Sequence, residues 1–336
     1  LDIIYELVEK GFNQFVLTKL PVEHKYITSV REFYGKLIRN VTLFLELEKY
    51  RKYKYGVGSA NFFFAIILMM SFVYPFFQAL RGYLKKPDPA SHKGDNGRIL
   101  VIAGSEKYHG ALLLAIQAAS RLVDVVYVYT WEGNQHLVDQ LKSEVAVFIS
   151  IREDELWEKV EQVDAILIGP GLSEDKNTKK ILEKILVKYY HKKIIVDATA
   201  AWVVDPKLLH KNCVVTPHKV EFEHLFNCDP IADNVLKMAK YYQCVVVLKG
   251  KYDYISDGKE LYENRTGNVG MTKGGTGDVL AGLVCGFAAK NDPLTSALAG
   301  IYLSGLTGDR LFEKFGTFYN AEDVVGEVGL IWKAGL

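Results

Sequence analysis

The segment Asn268-Val269-Gly270-Met271-Thr272-Lys273-Gly274-Gly275-Thr276-Gly277-Asp278 is rich in glycine and runs straight into an apolar pattern at helical spacing, Val279, Leu280, Leu283, Val284 and Phe287. Glycines ahead of a helix let the backbone approach a ligand, the first helical N–H groups have no internal partner, and the helix dipole favours negative charge there. The chemistry on offer is therefore anion binding, phosphate above all. Asp278 does not belong in a site that merely binds phosphate. In an ordinary helix a first-turn carboxylate stabilises the helix and does no more. Beside a phosphate cradle it can take the proton from a hydroxyl that attacks phosphorus. The spacing is neither the G-x-x-x-x-G-K-[ST] of a P-loop nor the G-x-G-x-x-G of a dinucleotide fold.

The elements that must position this segment are legible from Leu84 onward. Apolar runs at Ile99–Ala103, Val125–Thr130, Val145–Ser150, Ala165–Ile168, Ile194–Val196 and Cys244–Leu248 predict buried strands. Between them lie helical patterns through Leu112, Ile116, Ala119 and Leu122, near Gln135–Leu141, near Glu153–Val160, around Lys179, Lys180, Lys184 and Lys188, and from Cys213 to Phe222, where the next helix opens. Such alternation predicts an α/β domain with a mostly parallel sheet covered on both faces, and ligands in that architecture bind beyond the carboxyl ends of the strands. A hairpin is predicted with its turn at Asp257-Gly258 and its second strand at Lys259–Asn264. Pro293 opens a helix in which Ala297, Gly300, Ser304 and Gly308 form a small-residue stripe that lets it pack closely on the helix after Asp278, and a last helix starts near Ala321.

The strand-end loops carry the remaining candidates: Gly104 to Ala111 with Tyr108, His109 and Gly110; Gly169-Pro170-Gly171-Leu172-Ser173; Asp197-Ala198-Thr199; Thr216-Pro217-His218; and Lys249-Gly250-Lys251-Tyr252-Asp253. Read as bare residues, Gly-Pro-Gly is a turn, a histidine before a helix is a cap, and a strand-end lysine is solvated. His218, Glu221 and His224 do not make a zinc site, because on a helix the histidines stand about 240° apart.

In the pattern G-N-x-G-M-x-x-G-G-T-G-D-V-L-x-G, the segment ending in Asp278 resembles the anion hole of the ribokinase-like superfamily, in the longer form of the ADP/ATP-dependent NAD(P)H-hydrate dehydratases. Ser91-His-Lys-Gly-Asp-Asn-Gly-Arg98, G-S-x-x-Y-x-G-A, G-P-G-L, T-P-H-x-x-E-F and K-G-x-x-D follow the same family's order, so the resemblance runs from Lys86 onward. It implies a ribokinase-like fold and dehydration of (6S)-NADHX or (6S)-NADPHX, with ADP or ATP as co-substrate and Mg²⁺ bridging its phosphates. Asp278 would be the catalytic base. Tyr108, Gly110, Gly171, His218 and Asp278 would touch the substrate. Lys249, Gly250, Lys251, Tyr252 and Asp253, with Asn268, Gly270, Met271, Thr272, Gly274, Gly275, Thr276 and Gly277, would hold the nucleotide. No metal-ligating side chain is expected. Asp197 carries over from the family's D-A-D, whereas Thr199, Ser173 and Val220 depart from its usual residues. The alternatives are a ribokinase-like small-molecule kinase and a membrane-tethered adenine-nucleotide sensor.

Residues 1–83 read as a separate, helical segment, with 84–336 as the dehydratase domain. Tyr55 to Leu80 lacks charge, and as a helix it would span about 39 Å against a bilayer core of about 30 Å. Two readings follow: a membrane anchor at about 57–80, tethering a cytoplasmic protein to the inner face of a membrane, or a buried helix in an oligomer or interdomain seam. The epimerase domain often fused to these dehydratases is not recognisable in this segment. A net charge of +1 gives no nucleic-acid face, and four widely spaced cysteines read as reduced thiols in a cytoplasmic homo-oligomer.

Overall fold

The structure, a computed structural model, describes residues 83–131, 135–143 and 145–334. The expected helices and membrane anchor before residue 83 lie outside them. Among the described residues, no helix is long and apolar enough to cross a membrane.

Among the described residues, the sheet has nine strands in the order β3-β2-β1-β4-β5-β6-β7-β8-β9. Arg98–Ile102 (β1), Val125–Tyr129 (β2), Ile149–Ser150 (β3), Ala165–Ile168 (β4), Lys193–Val196 (β5), Cys213–Val215 (β6) and Val245–Leu248 (β7) pair in parallel. Asp253–Ser256 (β8) and Leu261–Asn264 (β9) close the edge as an antiparallel hairpin. The Val145–Ser150 run shrinks to Ile149 and Ser150, which alone pair with β2. It is an edge with one neighbour, Ala146 and Val147 stay exposed, and a short edge strand leaves few unpaired backbone groups.

Both faces of the central strands are buried, which is why they read as continuous apolar runs. Leu100, Ile102, Ile166, Ile168, Ile194 and Val196 point to one layer. That layer comprises Glu153–Gln162 (α3), Lys176–Lys188 (α4), Lys219–Phe226 (α6) and Ala232–Tyr242 (α7), the last of which was not anticipated from the sequence. The alternate residues, Val101, Leu167 and Ile195, face the opposite layer of His109–Ala119 (α1), Thr276–Ala288 (α8), Pro293–Phe315 (α9) and Ala321–Ala334 (α10). Among the described residues, Gln135–Leu141 (α2) and Thr199–Val203 (α5) complete the set of α-helices.

The helix α8 is apolar all round because it is enclosed all round, from Val279 to Ala288. Glycines allow the enclosure. A Cβ on Gly282 would lie 2.3 Å from the Ala115 carbonyl oxygen of α1, and one on Gly300 of α9 would lie 2.6 Å from Val284 Cγ2. The small-residue stripe of α9 therefore does seat α8 at Gly300. Further along, Gly305 and Gly308 instead accept Thr266 and Met271 of the glycine-rich loop.

Gly282→Ala is expected to destabilise the fold through overpacking by about 1–3 kcal/mol and to lower the melting temperature by roughly 2–12 °C. Gly326→Ala, at a helical position where a new Cβ meets nothing within 4 Å, is expected to leave it level or raise it. Thermal unfolding followed by circular dichroism compares the two.

Candidate active site

The strand order reverses between β1 and β4, and the loops leaving their carboxyl ends meet there. Gly104 N–H donates to the Pro170 carbonyl at 2.8 Å. Gly171 has φ +65°, and a Cβ on it would lie 2.4 Å from the Tyr108 carbonyl and 3.0 Å from Ala111 Cβ. The structure thus brings Tyr108, Gly110 and Gly171 together. Tyr108 is 52% exposed and Gly110 faces open space. An open cleft of about 460 Å³ lies against Ser105, Glu106, Lys107 and Ser173 at the same end of the sheet.

Two strands along, the chain after β6 places His218 as the N-cap of α6. Its Nδ1 accepts the Glu221 N–H at 3.2 Å while Glu221 Oε2 accepts the His218 N–H at 2.8 Å, a reciprocal box. With Nδ1 accepting, the ring proton of neutral His218 lies on Nε2, 3.4 Å from Glu221 Oε1. His224 turns instead to Trp202, whose carbonyl lies 2.9 Å from its Nε2. A bridge between His218 and Lys249 then aligns the ends of β6 and β7.

Charge concentrates at this point. Lys249 Nζ donates to Asp197 Oδ1 at 2.8 Å, and Thr216 Oγ1 donates to the same oxygen at 2.6 Å. Asp197 is 2% exposed and Glu221 5%. Gly277, in the first turn of α8, lies so near Lys249 that a Cβ there would be 3.7 Å from Nζ. Asp278 follows it. Burial, then the neighbouring Asp197 and Glu221 carboxylates, push the Asp278 pKa up to about 7 against the opposing pull of Lys249. Burial also raises Glu221, partly offset by Lys249. At Lys249 burial disfavours the charge, yet Asp197, Glu221 and Asp278 outweigh it and hold the ammonium pKa above the ordinary lysine value.

The glycine-rich loop divides into residues that shape it and residues left open. Asn268 caps the short 3₁₀ turn Val269–Thr272 by accepting the Gly270 N–H at 2.9 Å, and it accepts the Tyr319 hydroxyl at 2.8 Å. Asp309 of α9 accepts the Gly267 N–H and the Asn268 amide. Gly270 lies under the Tyr319 ring, Thr272 Oγ1 donates to the Val269 carbonyl, and Thr276 Oγ1 donates to the Met271 and Lys273 carbonyls. Lys273 Nζ donates to the Thr317 and Tyr319 carbonyls. Asp253 holds Gly250 N–H at 3.0 Å and Asn264 Nδ2 at 2.9 Å, so its carboxylate shapes the Lys249 turn. Lys251 and Tyr252 stand exposed, with the Arg265 guanidinium over the Tyr252 ring.

What remains open to a ligand is backbone at Gly274, Gly275 and Gly277, the Lys249 ammonium and the Asp278 carboxylate, while the Thr276 N–H donates to the Lys273 carbonyl. Gly274 is exposed with nothing near it, and Gly275 has φ +95°, which turns the chain into α8. Sequence reasoning passed over Thr216, Asp309 and Tyr319. Thr216 sits inside T-P-H-x-x-E-F and could have been weighed there, whereas Asp309 and Tyr319 carry no local signal.

Comparison with known proteins adds a second line. A family model described as NAD(P)H-hydrate dehydratase matches residues 99–328. A bifunctional NAD(P)H-hydrate repair enzyme from Methanocaldococcus jannaschii is 36% identical over 260 residues, 74% of this chain and 51% of that protein, so the chain spans about half the length of that relative. An ADP-dependent (S)-NAD(P)H-hydrate dehydratase from Nitrosopumilus maritimus is 36% identical over 266 residues, 72% of this chain and 91% of its own. Among solved structures, a ribokinase-like superfamily protein from Enterococcus faecalis superposes with a TM-score of 0.70 at 27% identity, covering 76% of this chain and 93% of its own. The ADP/ATP-dependent NAD(P)H-hydrate dehydratase from Bacillus subtilis, co-crystallised with ATP and Mg²⁺, gives 0.63 at 27% identity, covering 76% and 96%. The fold is ribokinase-like, and with motif, architecture and sequence in agreement the chain belongs to the NAD(P)H-hydrate dehydratase family.

Proposed function

We propose that this domain dehydrates (6S)-NADHX or (6S)-NADPHX to the reduced nicotinamide nucleotide by way of phosphorylation, with ADP or ATP as phosphoryl donor. The observation that carries this reading is the placement of Asp278. Its carboxyl group stands in the first turn of an enclosed helix, beside open backbone amides and next to a lysine ammonium.

The chemistry fits that placement. Hydroxide is a poor leaving group, and phosphate is a good one. Asp278 takes the proton of the ring hydroxyl as its oxygen attacks the terminal phosphorus of the nucleotide, and the bond to ADP or AMP breaks. The ring nitrogen then pushes out phosphate, and loss of a ring proton restores the double bond. The amides at Gly274, Gly275 and Gly277 face the charge on the moving phosphoryl group, each such donor contributing about 2.7–4 kcal/mol. Lys249 faces the same charge as an ammonium. The Tyr108, Gly110 and Gly171 loops and His218, with its proton on Nε2, bound the space left for the hydrated ring.

Mg²⁺ belongs to the nucleotide in this reading. Asp197 spends an oxygen on Lys249 and Thr216, and Glu221 is bound to His218. Among the described residues no group of acids, histidines and cysteines is arranged to hold a metal. Mg²⁺ would be held by the nucleotide phosphates and would supply counter-charge to them.

Offered hydrated NADH with ATP or ADP, the protein is expected to regenerate the reduced-nicotinamide absorbance and release one phosphate per turnover; a stable phosphorylated product without that absorbance sinks the dehydratase reading. Asp278→Ala is expected to lower kcat by at least about 100-fold while nucleotide affinity, measured by calorimetry, changes little. The base must be deprotonated to act. Activity is therefore expected to fall as pH drops, with a one-proton acid limb in kcat/KM near the Asp278 pKa of about 7.

A further inference from the structure

The junction at the end of β5 is built beyond what a strand end needs. Asp197 is 2% exposed, and one of its oxygens collects both the Lys249 ammonium at 2.8 Å and the Thr216 hydroxyl at 2.6 Å. Its backbone is equally engaged. Gly169, at φ +130°, sits so close that a Cβ there would be 1.7 Å from the Asp197 carbonyl oxygen. Ala198 follows at φ 47° and ψ −126°, a conformation that L-residues rarely adopt and that persists only where the surroundings impose it. Thr199 Oγ1 then donates to the Leu172 carbonyl at 2.8 Å, tying down the far end of the Gly-Pro-Gly-Leu loop. Three consecutive residues thereby join the loop on the substrate side to the lysine on the nucleotide side, at the cost of a strained alanine.

We propose that Asp197 is a positioning residue of the reaction: its carboxylate, fixed by Thr216, aims the Lys249 ammonium at the mouth of the amide cradle beside Asp278, while its backbone holds the Gly169–Ser173 loop in register with it. Asp197 does not touch the reacting atoms. It acts through Lys249, which without it would be a flexible four-carbon chain free to take up other rotamers away from the cradle.

The charges around Lys249 and Asp278 come from every element packed on them: Asp197 from β5, Glu221 from α6, Asp253 from the start of β8, and each other. Asp197 and Lys249 act on Asp278 with opposite signs, which separates a positioning role from a scaffold role. The test rests on the dehydratase reading and compares Asp197→Asn with Lys249→Met. Asparagine is isosteric and can still accept from Thr216, so the fold is expected to stay. Its turnover is expected to fall about 10-fold or more, chiefly in kcat, because a charged hydrogen bond becomes a neutral one. The acid limb of kcat/KM is expected to move down by about 1 unit in Asp197→Asn and up by a similar amount in Lys249→Met. Movement in the same direction, or an unchanged kcat in Asp197→Asn, overturns the proposal. Thr216→Val serves as a second variant that keeps both charges: reduced kcat at an unchanged melting temperature supports positioning, and unchanged kcat opposes it. Calorimetric ADP affinity is read on all of them. A wild type that binds ADP but regenerates no NADH defeats the dehydratase reading, and Asp197→Asn then still has to weaken ADP binding about 10-fold for the positioning role to stand.

Discussion

The constraint on which this site depends is the crowding of negative charge at one end of a low-dielectric sheet. Asp197, Glu221 and Asp278 arrive from β5, α6 and α8, and buried carboxylates that share a space cannot all ionise unless something repays their lost hydration. Lys249 does so. It is bonded to one acid and lies close to the other two, and the balance it strikes is uneven: Asp197 has two donors on one oxygen, Glu221 spends its oxygens on the α6 cap, and Asp278 keeps no fixed partner and a pKa near neutrality. A carboxyl group left in that condition is suited to taking up and giving back a proton at ordinary pH.

The glycine-rich loop follows a complementary rule. Its polar side chains face inward and are consumed in holding its shape: Asn268 by Gly270, Tyr319 and Asp309, Thr276 by two carbonyls, Lys273 by the chain at 317–319. The surface it leaves open is then mostly peptide backbone, and backbone amides of this kind are suited to binding phosphate by geometry and partial charge. The exposed side chains of Lys251, Tyr252 and Arg265 flank the β8–β9 hairpin, with the Arg265 guanidinium over the Tyr252 ring.

Much of this was readable from the residues alone, for identifiable reasons. Period and burial specified the parallel core, because strands covered on both faces leave uninterrupted apolar runs. They overestimated β3, an edge strand whose apolar residues stay partly in solvent, they ran the short β6 at Cys213–Val215 into the helix that follows it, and α7 went unread between two stronger signals. Asp278 was legible since a carboxylate is anomalous in a phosphate cradle. His218 is the helix cap that its place before α6 offered. The nucleotide-loop residues were harder to sort: nothing local distinguishes Gly274, open to solvent, from Gly270, pressed against the Tyr319 ring, because the difference is made by a residue 49 positions further on. For the same reason Asp309 and Tyr319 carried no sign of their work. Thr199 replaces an acid of the family pattern, and its hydroxyl binds the Leu172 carbonyl, a bond with no signature in sequence.

The strand order has a consequence for how the molecule is made. The β1–β4 crossing and the strands out to β7 are specified by residues that emerge early, but the helix that covers Val101, Leu167 and Ile195 is encoded after the β8–β9 hairpin. A nascent chain that has finished its sheet therefore has only α1 over one apolar face until α8, α9 and α10 emerge, and such surfaces are sticky. The helix whose first turn bears Asp278 is thus also the first part of the late cover that ends this vulnerable interval.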